Sequence, residues 1–138
     1  MTRLRVKQLA RAADASPGAV RHYVRLGLLT PVRDSNNGYH LFEFSDVKRV
    51  RFIYRAKYLG YTLNEIRQIF EESDKGLSPC PLVRQIIARH IAKNRRELEQ
   101  AMLLQKRMER ALVQWRKMPD GAPDGETICR LIELAVEA

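Results

Sequence analysis

The chain has 138 residues, enough for one domain plus one extended element. Its hydrophobic content of 45% excludes global disorder. A formal charge of +9 and a pI near 10.0 predict an acidic partner, with nucleic acid first and a membrane surface second. Residues 1–57 carry twelve Lys and Arg against four Asp and Glu, so a charge of +8 lies there and +1 in the remaining 81 residues.

The sequence favours a cytoplasmic protein with no membrane partner. No apolar signal-peptide core follows the basic N-terminus, and no apolar run approaches transmembrane length. Two cysteines do not make a disulfide framework in a chain of this length.

A helix-turn-helix is predicted at the start of the chain. Apolar residues recur at helical spacing over residues 4–13, and "DAS" interrupts the pattern. Ser16 is a good N-cap and Pro17 suits a first helical position. The second helix should therefore run from Pro17 to about Arg25 and stop at Gly27.

The second helix has an apolar side and a polar side. Val20 and Val24 can pack inward, whereas the other side carries two arginines, a histidine and a glycine that permits close approach. Such a stripe suits the major groove of DNA, although an ordinary solvated face is the alternative. The stripe consists of Gly18, Arg21, His22 and Arg25.

A β-hairpin is predicted over residues 29–44, where it would form a wing after the helix-turn-helix. Its turn signal is the two-residue Asn-Gly at 37–38, because both positions tolerate positive φ. Three side chains around the turn can touch phosphates: Arg33, Tyr39 and His40.

Two more helices should follow the hairpin. Ser45 is the expected N-cap of the first, which should end near Gly60. Thr62 and Glu65 form a capping box that opens the second. The side chains expected to point inward from the first are Val47, Val50, Ile53 and Tyr54.

A coiled-coil helix is predicted from Pro81 to about Lys117. Seam residues recur at alternating steps of four and three, with Asn94 and Gln105 as polar positions. The rod would be about 55 Å long. A chain of this size cannot cover such a rod, so we expect a partner helix rather than a long solvated helix. The seam comprises Ile87, Ile91, Asn94, Leu98, Ala101, Gln105, Met108, Leu112 and Trp115.

A loop with two Pro-Asp-Gly turns (118–125) and a short amphipathic helix should complete the chain.

Residues 3–72 closely resemble the DNA-binding half of the MerR family of bacterial transcription regulators. The most specific pieces are "AVRHYVRLGLLTPVR", "NGYHLF" and "LGYTLNEI", which occur in the family's order. Carried over by position, the resemblance implies DNA contacts for Arg21 and Tyr23 of the recognition helix. It implies backbone contacts for Arg33, Tyr39 and Lys57, and His40 stands where the family usually has an arginine.

The resemblance implies a mostly α fold, in which a winged helix-turn-helix joins a long antiparallel coiled-coil dimerisation helix. Homodimers of this type bind double-stranded promoter DNA in which the spacer between the two recognition elements is too long for RNA polymerase to engage both. They act as activators. On ligand binding they bend and untwist the spacer, so that RNA polymerase on the same promoter engages both of its elements. The implied parts are a DNA-binding domain (1–75), a dimerisation helix (81–117) and a C-terminal sensor loop and short helix (118–138).

Both cysteines lie where metal-responsive MerR proteins have ligands. Cys80 is the expected N-cap before Pro81, where the helix dipole and unpaired amides favour a thiolate. It matches the cysteine that opens the dimerisation helix in that subgroup, and Cys129 resembles the last cysteine of their metal loop. In that subgroup the metal site pairs the cysteine at the helix start of one subunit with the loop of the other subunit. The usual first loop cysteine is missing here, and the loop offers Asp120, Asp124 and Glu126 instead.

The ligand set leaves several hypotheses open for the two cysteines. Two thiolates suit monovalent copper or mercury, and two thiolates with added loop carboxylates suit zinc, cadmium or lead. His90 lies about 15 Å along the helix from Cys80 of its own chain, so it cannot complete a site with that thiol. A thiol-based redox or electrophile switch, or purely structural cysteines, are the alternatives.

Three functional classes follow from the sequence. A ligand-responsive dimeric transcription regulator unites the charge, the winged-helix signals and the coiled coil. An architectural nucleic-acid-binding dimer without ligand control would bind with steep salt dependence and no preferred sequence. An enzyme is not expected, since no phosphate-cradling Gly loop and no catalytic grouping of histidines and acids occurs in the sequence.

Overall fold

The structure, a computed structural model, describes residues 3–135, and it is mostly helical. The chain forms two compact units, Met1–His90 and Ile91–Ala138. None of the helices within 3–135 combines the length and the apolar character that a bilayer-spanning segment needs. The elements in chain order are α1 (Val6–Ala12), α2 (Pro17–Arg25), β1 (Val32–Arg33), β2 (His40–Leu41), α3 (Ser45–Tyr58), α4 (Leu63–Asp74), α5 (Cys80–Trp115) and α6 (Arg130–Glu133).

The helix-turn-helix forms as predicted at α2 but not at the start of α1. Ser16 Oγ accepts a hydrogen bond from Ala19 N at 3.1 Å and caps α2, and Gly27 follows the helix with φ of 77°. The helical pattern was expected from residue 4, yet α1 begins at Val6. Leu4 instead exchanges two backbone hydrogen bonds of 2.7 Å with Phe42, so a long-range bridge takes it out of the helix.

The wing is a short antiparallel hairpin whose turn is longer than predicted. Asp34 N donates to Tyr39 O at 2.8 Å and closes a loop over residues 35–38, in which Gly38 alone has a positive φ, of 72°. The prediction of a two-residue Asn-Gly turn is therefore wrong. Asn37 Oδ1 accepts from Tyr39 N at 3.0 Å, and this side-chain bond stabilises the wider loop.

Helix α3 corrects two further expectations. Ser45 is its first residue rather than its N-cap, because the side chain that bonds across the helix start is Asp46, whose Oδ2 accepts from Glu43 N at 3.1 Å. Tyr54 was expected to point inward but is exposed, and Ala56 is buried instead. Val50 and Ile53 are buried as predicted.

One hydrophobic core unites the first compact unit, including the first turns of α5. Ile86 of α5 is fully buried, and Tyr61 donates from its hydroxyl to Val83 O at 2.7 Å. His90 Nε2 lies 2.8 Å from Glu65 Oε1. These contacts explain why the unit extends to His90. The core side chains with the least exposure include Leu9, Val20, Leu28, Leu29, Phe42, Val50, Ile53, Ile66, Ile69 and Ile86.

The second unit contains the rest of α5, a loop and a short final helix. Asp124 Oδ1 accepts from the backbone N of Glu126 and of Thr127, each at 2.8 Å, and these bonds shape the loop. The predicted amphipathic helix is reduced to α6, Arg130–Glu133. Residues 1–2 and 136–138, at the ends of the expected parts, lie outside the described residues.

The capping box of α4 generates a stability prediction. Thr62 Oγ1 accepts from Glu65 N at 3.1 Å, while Glu65 Oε1 accepts from Thr62 N at 2.8 Å. Thr62→Ala leaves the Glu65 amide without its acceptor, so we expect the free energy of unfolding to fall by about 1 kcal/mol. Urea denaturation followed by circular dichroism measures the loss. Thr62→Ser keeps the hydroxyl and is the control; equal stability of the Ala and Ser variants would contradict the role of the cap.

Candidate functional site

The exposed face of α2 carries the residues predicted to enter the major groove. Gly18, Arg21, His22 and Arg25 are all exposed, on the side opposite the buried Val20. Arg25 Nη2 lies 3.4 Å from His22 Nδ1, so these two side chains are neighbours on the surface. The helical spacing identified in the sequence thus brings these four residues to one accessible face.

Tyr23 does not belong to that face. Its side chain is only 5% exposed, and its ring lies edge-on to the ring of Tyr54 with centroids 6.4 Å apart. Burial, followed by the neighbouring Tyr54, raises the pKa of the Tyr23 hydroxyl above its ordinary value. A side chain with so little accessible surface is part of the core, so we leave Tyr23 out of the candidate interface. Its spacing from Val20, three positions along the helix, was the sequence signal for burial.

The wing presents Arg33 and Tyr39 beside this helix. Arg33 Nη1 donates to Gly38 O at 3.1 Å, which holds the guanidinium against the turn. Tyr39 is 59% exposed, so its ring is available to a partner. His40 is half-buried, with its ring edge-on to Phe42 at 6.3 Å, and therefore offers less surface than Tyr39.

A basic cleft of about 770 Å³ lies between α2, the wing and the start of α1. Five of its lining side chains are cationic and none is acidic, so the cleft should concentrate negative charge. Sequence reasoning missed the α1 side of this cleft, and its only sequence signal was the high charge of residues 1–57. The cationic residues are Arg5, Lys7, Arg21, Arg25 and Arg33. Lys57, near the end of α3, is exposed but does not line the cleft.

The two thiols lie at the starts of two helices. Cys80 is exposed and is the first residue of α5 rather than its N-cap, because Val83 N donates to Pro79 O at 2.9 Å and the helix begins one residue earlier than expected. Cys129 is half-buried and is the N-cap of α6. Neither forms a disulfide. Within residues 3–135 of a single chain, no three side chains of His, Cys, Asp or Glu gather closely enough to hold a metal ion.

The loop carboxylates differ in how they are used. Hydrogen bonds from the backbone of Glu126 and Thr127 lower the pKa of the Asp124 carboxyl, so this group is ionised and occupied in shaping the loop. Asp120 and Glu126 are exposed.

Comparison with known proteins places this arrangement in a family. The family model described as "MerR HTH family regulatory protein" matches residues 4–73, and the model described as "MerR, DNA binding" matches residues 47–113. The chain belongs to the MerR family. It is therefore a DNA-binding transcription regulator and not an enzyme, as expected from the sequence.

Relatives of this MerR-family chain match it over nearly the whole length. A probable heavy metal-dependent transcriptional regulator of Haemophilus influenzae is 28% identical, covering 91% of this chain and 94% of the relative. The mercuric resistance operon regulatory protein of Bacillus cereus is 29% identical, covering 95% and 96%. A transcription regulator of Ralstonia metallidurans, solved in complex with lead(II), is 30% identical with a TM-score of 0.71, covering 96% and 99%. The last similarity confirms the predicted fold class.

The exposed arginine at the centre of the α2 face gives a binding prediction. Arg21→Ala should cost about 1–3 kcal/mol of binding free energy on specific DNA, because it removes a charged donor from the face that suits a groove. Fluorescence anisotropy with a labelled operator duplex measures the change.

Lys75→Ala is the control for Arg21→Ala. Lys75 follows α4, is exposed and does not line the basic cleft, so its loss should leave the affinity close to that of the wild type. Similar losses for both variants would mean that overall charge, rather than the α2 face, determines binding.

Proposed function

We propose that this chain is a ligand-responsive activator that binds promoter DNA as a homodimer and senses a thiophilic metal ion. The observation that carries the DNA-binding part of the proposal is the basic cleft, which five cations from α2, the wing and the start of α1 line. In the proposed complex α2 enters the major groove, and Arg33, Tyr39 and Lys57 hold the phosphate backbone.

The proposed mode of action is distortion of the promoter. Contacts to phosphates on both sides of a long spacer can offset the free energy of bending and untwisting the duplex. RNA polymerase would then engage both promoter elements. A gel-shift titration on a long-spacer promoter tests the DNA-binding part, and the absence of sequence-selective binding at moderate salt would contradict it. Permanganate footprinting of the spacer, with and without metal, tests the distortion.

The apolar side chains of α5 after His90 support a dimer. Ile91, Leu98, Met108 and Leu112 are each about half exposed or more in the single chain. They belong to the seam with alternating steps of four and three, which is the spacing of a coiled coil. A contiguous stripe of exposed apolar side chains is typical of a surface that is buried against a partner in water. We therefore propose that the predicted dimerisation segment 81–117, which is helical as far as Trp115, pairs antiparallel with the same segment of a second copy.

A charge in the seam should break the proposed dimer. Leu98→Glu places two carboxylates, one from each chain, in an apolar interface where burial of a charge is costly. We expect light scattering after size exclusion to give the monomer mass at micromolar concentration, where the wild type gives the dimer mass.

Leu103→Glu provides a matched control for the seam. Leu103 is 53% exposed and Leu98 is 59% exposed, but Leu103 lies two positions from the seam residue Ala101, on the other side of the helix. The Leu103 variant should stay dimeric. A monomeric wild type, or equal dissociation of both variants, would contradict the proposed seam.

Metal sensing is supported by the relatives and by the chemistry of the thiols. The Bacillus cereus relative is named for mercuric resistance, and the Ralstonia metallidurans structure contains lead(II). Cys80 and Cys129 are both free, and thiolates select soft ions. Two thiols suit a two-coordinate ion such as mercury or monovalent copper better than zinc, which takes four ligands. Zinc, cadmium or lead would need Asp120 or Glu126 in addition, since Asp124 shapes the loop.

We propose that the sensor joins Cys80 of one subunit to Cys129 of the other, with residues 118–138 as the sensor segment. A thiol-based redox or electrophile switch is the second candidate, favoured by the presence of only two cysteines and by the exposure of Cys80. Elemental analysis and thiol titration of the purified protein separate the two. Metal sensing predicts bound metal in a fixed ratio to protected thiols, whereas a redox switch predicts a disulfide and no bound metal.

The role of Cys80 can be tested without disturbing the DNA-binding face. Cys80→Ser should leave the operator affinity within about twofold of the wild type and abolish induction, because the hydroxyl is a poor ligand for soft ions. A promoter–reporter assay over a series of metal salts measures induction, and anisotropy measures affinity. Ser73→Ala, at an exposed serine of α4 outside the candidate sites, should respond as the wild type does. Full induction of the Cys80 variant by the same metal would contradict the sensor role.

A further inference from the structure

Arg5 lies at the point where α1 meets the wing. Its backbone N donates to Gln8 Oε1 at 2.8 Å, so Gln8 closes the start of α1. A guanidinium has only donors, so that of Arg5 cannot accept a bond from the free amides at the start of α1. Its central carbon lies 5.3 Å from the centroid of the Tyr39 ring, within the range of a cation–π interaction.

The backbone fixes Arg5 in this position from the other side. Leu4, the residue before it, exchanges two hydrogen bonds of 2.7 Å with Phe42, which follows strand β2 of the wing. Leu4 is buried and Phe42 is fully buried. Arg5 is thus held between a buried bridge and a capped helix, and it is exposed. The backbone of Arg5 is therefore ordered before a partner binds, and the ring of Tyr39 contacts its exposed guanidinium.

Arg5 also lines the basic cleft together with four other cations and no acid. The ion pairs among residues 3–135 join Arg49 to Asp74, His90 to Glu65, and Lys93 to Glu97, and none of them includes a cation of the cleft. Within the described part of the chain no ion pair includes the Arg5 guanidinium, so it is available to an anionic partner. A bound anion would relieve the repulsion among the five cations.

We propose that Arg5 contacts a DNA phosphate and at the same time positions Tyr39 of the wing for its own backbone contact. A guanidinium can stack its plane on an aromatic ring and still direct N–H donors from its edge to a phosphate. An ammonium group has the charge but not this geometry. The inference rests on the proposed function, and it adds the N-cap position of α1 as a third DNA-contacting part beside α2 and the wing.

The test compares full-length Arg5→Gln, Arg5→Lys and the wild type by anisotropy on the same operator over a range of salt concentrations. Arg5→Gln should weaken binding about tenfold at moderate salt and reduce the slope of log Kd against log salt by about one, because one phosphate contact is lost. Arg5→Lys should keep the slope and lose affinity only a few-fold, since it keeps the charge and loses the stacking.

A double-mutant cycle tests the positioning of Tyr39. If Arg5 acts through the ring, Arg5→Lys in a Tyr39→Leu background should cost less affinity than it does in the wild type. Arg11→Gln is the matched control, because Arg11 lies on α1, which Arg5 precedes, and because it is exposed and does not line the cleft. It should leave both the affinity and the salt slope unchanged. Melting temperatures of all variants identify any loss of folding. If Arg5→Gln unfolds, Arg5→Lys tests the stacking part of the inference, and an unchanged affinity of Arg5→Lys would overturn it.

The outcomes separate this inference from the proposed function. Wild-type binding together with an unchanged affinity and slope for Arg5→Gln would overturn the inference alone. A weaker Arg5→Gln with the wild-type slope would assign Arg5 a purely structural role and would also overturn it. Failure of the wild type to bind DNA would overturn the proposed function, and the inference with it.

Discussion

The structure depends on the way in which the first turns of α5 pack into the core of the DNA-binding unit. Ile86 is fully buried there, and the Tyr61 hydroxyl bonds to Val83 O. Glu65 has two tasks at this junction, since Oε1 accepts from Thr62 N and also contacts His90. Burial would raise the pKa of Glu65, but the hydrogen bonds from Thr62 and His90 outweigh it and lower the pKa. The carboxylate is therefore charged at neutral pH and holds α4 and α5 together.

This core must also hold together a surface whose charges repel one another. Five cations line one cleft without an acidic neighbour in its lining, and this arrangement destabilises the free protein. The fully buried Leu9, Val20 and Phe42 come from α1, α2 and the wing, the three elements that surround the cleft. Apolar burial thus offsets the repulsion, and an anionic partner removes it. The cluster of cations therefore explains both why the free protein needs a well-packed core and why its partner is an anion.

Local patterns predicted the helices well, and the errors come partly from a long-range contact and partly from local bonds that compete with the predicted ones. Ser16, Gly27 and the Thr62–Glu65 pair define helix ends through bonds to near neighbours, so the sequence alone located them. The start of α1 was misplaced because Leu4 pairs with Phe42, a residue 38 positions away. The wing turn was misjudged because Asn37 Oδ1 and Asp34 Oδ1 accept hydrogen bonds from backbone amides, and these bonds compete with the two-residue turn.

The candidate site followed the same rule. The exposed face of α2 was predictable from helical spacing, whereas the resemblance alone had included Tyr23, which packs against Tyr54 of a different helix. Arg5 was missed because its contact with Tyr39 joins parts of the chain that only the folded wing brings together. Residues whose role depends on one helix are visible in the sequence. Those whose role depends on two elements require the structure.

The position of Cys80 connects the thiols to this core. It is the first residue of α5, six positions before Ile86, and that helix is continuous from Cys80 to Trp115. A ligand held at Cys80 would therefore act on α5. That helix is bonded through Val83 to Tyr61, and through His90 to Glu65 of α4. Such a ligand changes the DNA-binding unit only if it binds one arrangement of this junction more tightly than another. To move the junction from a 1:99 to a 99:1 population, the ligand must prefer the second arrangement by about 5.5 kcal/mol of binding free energy.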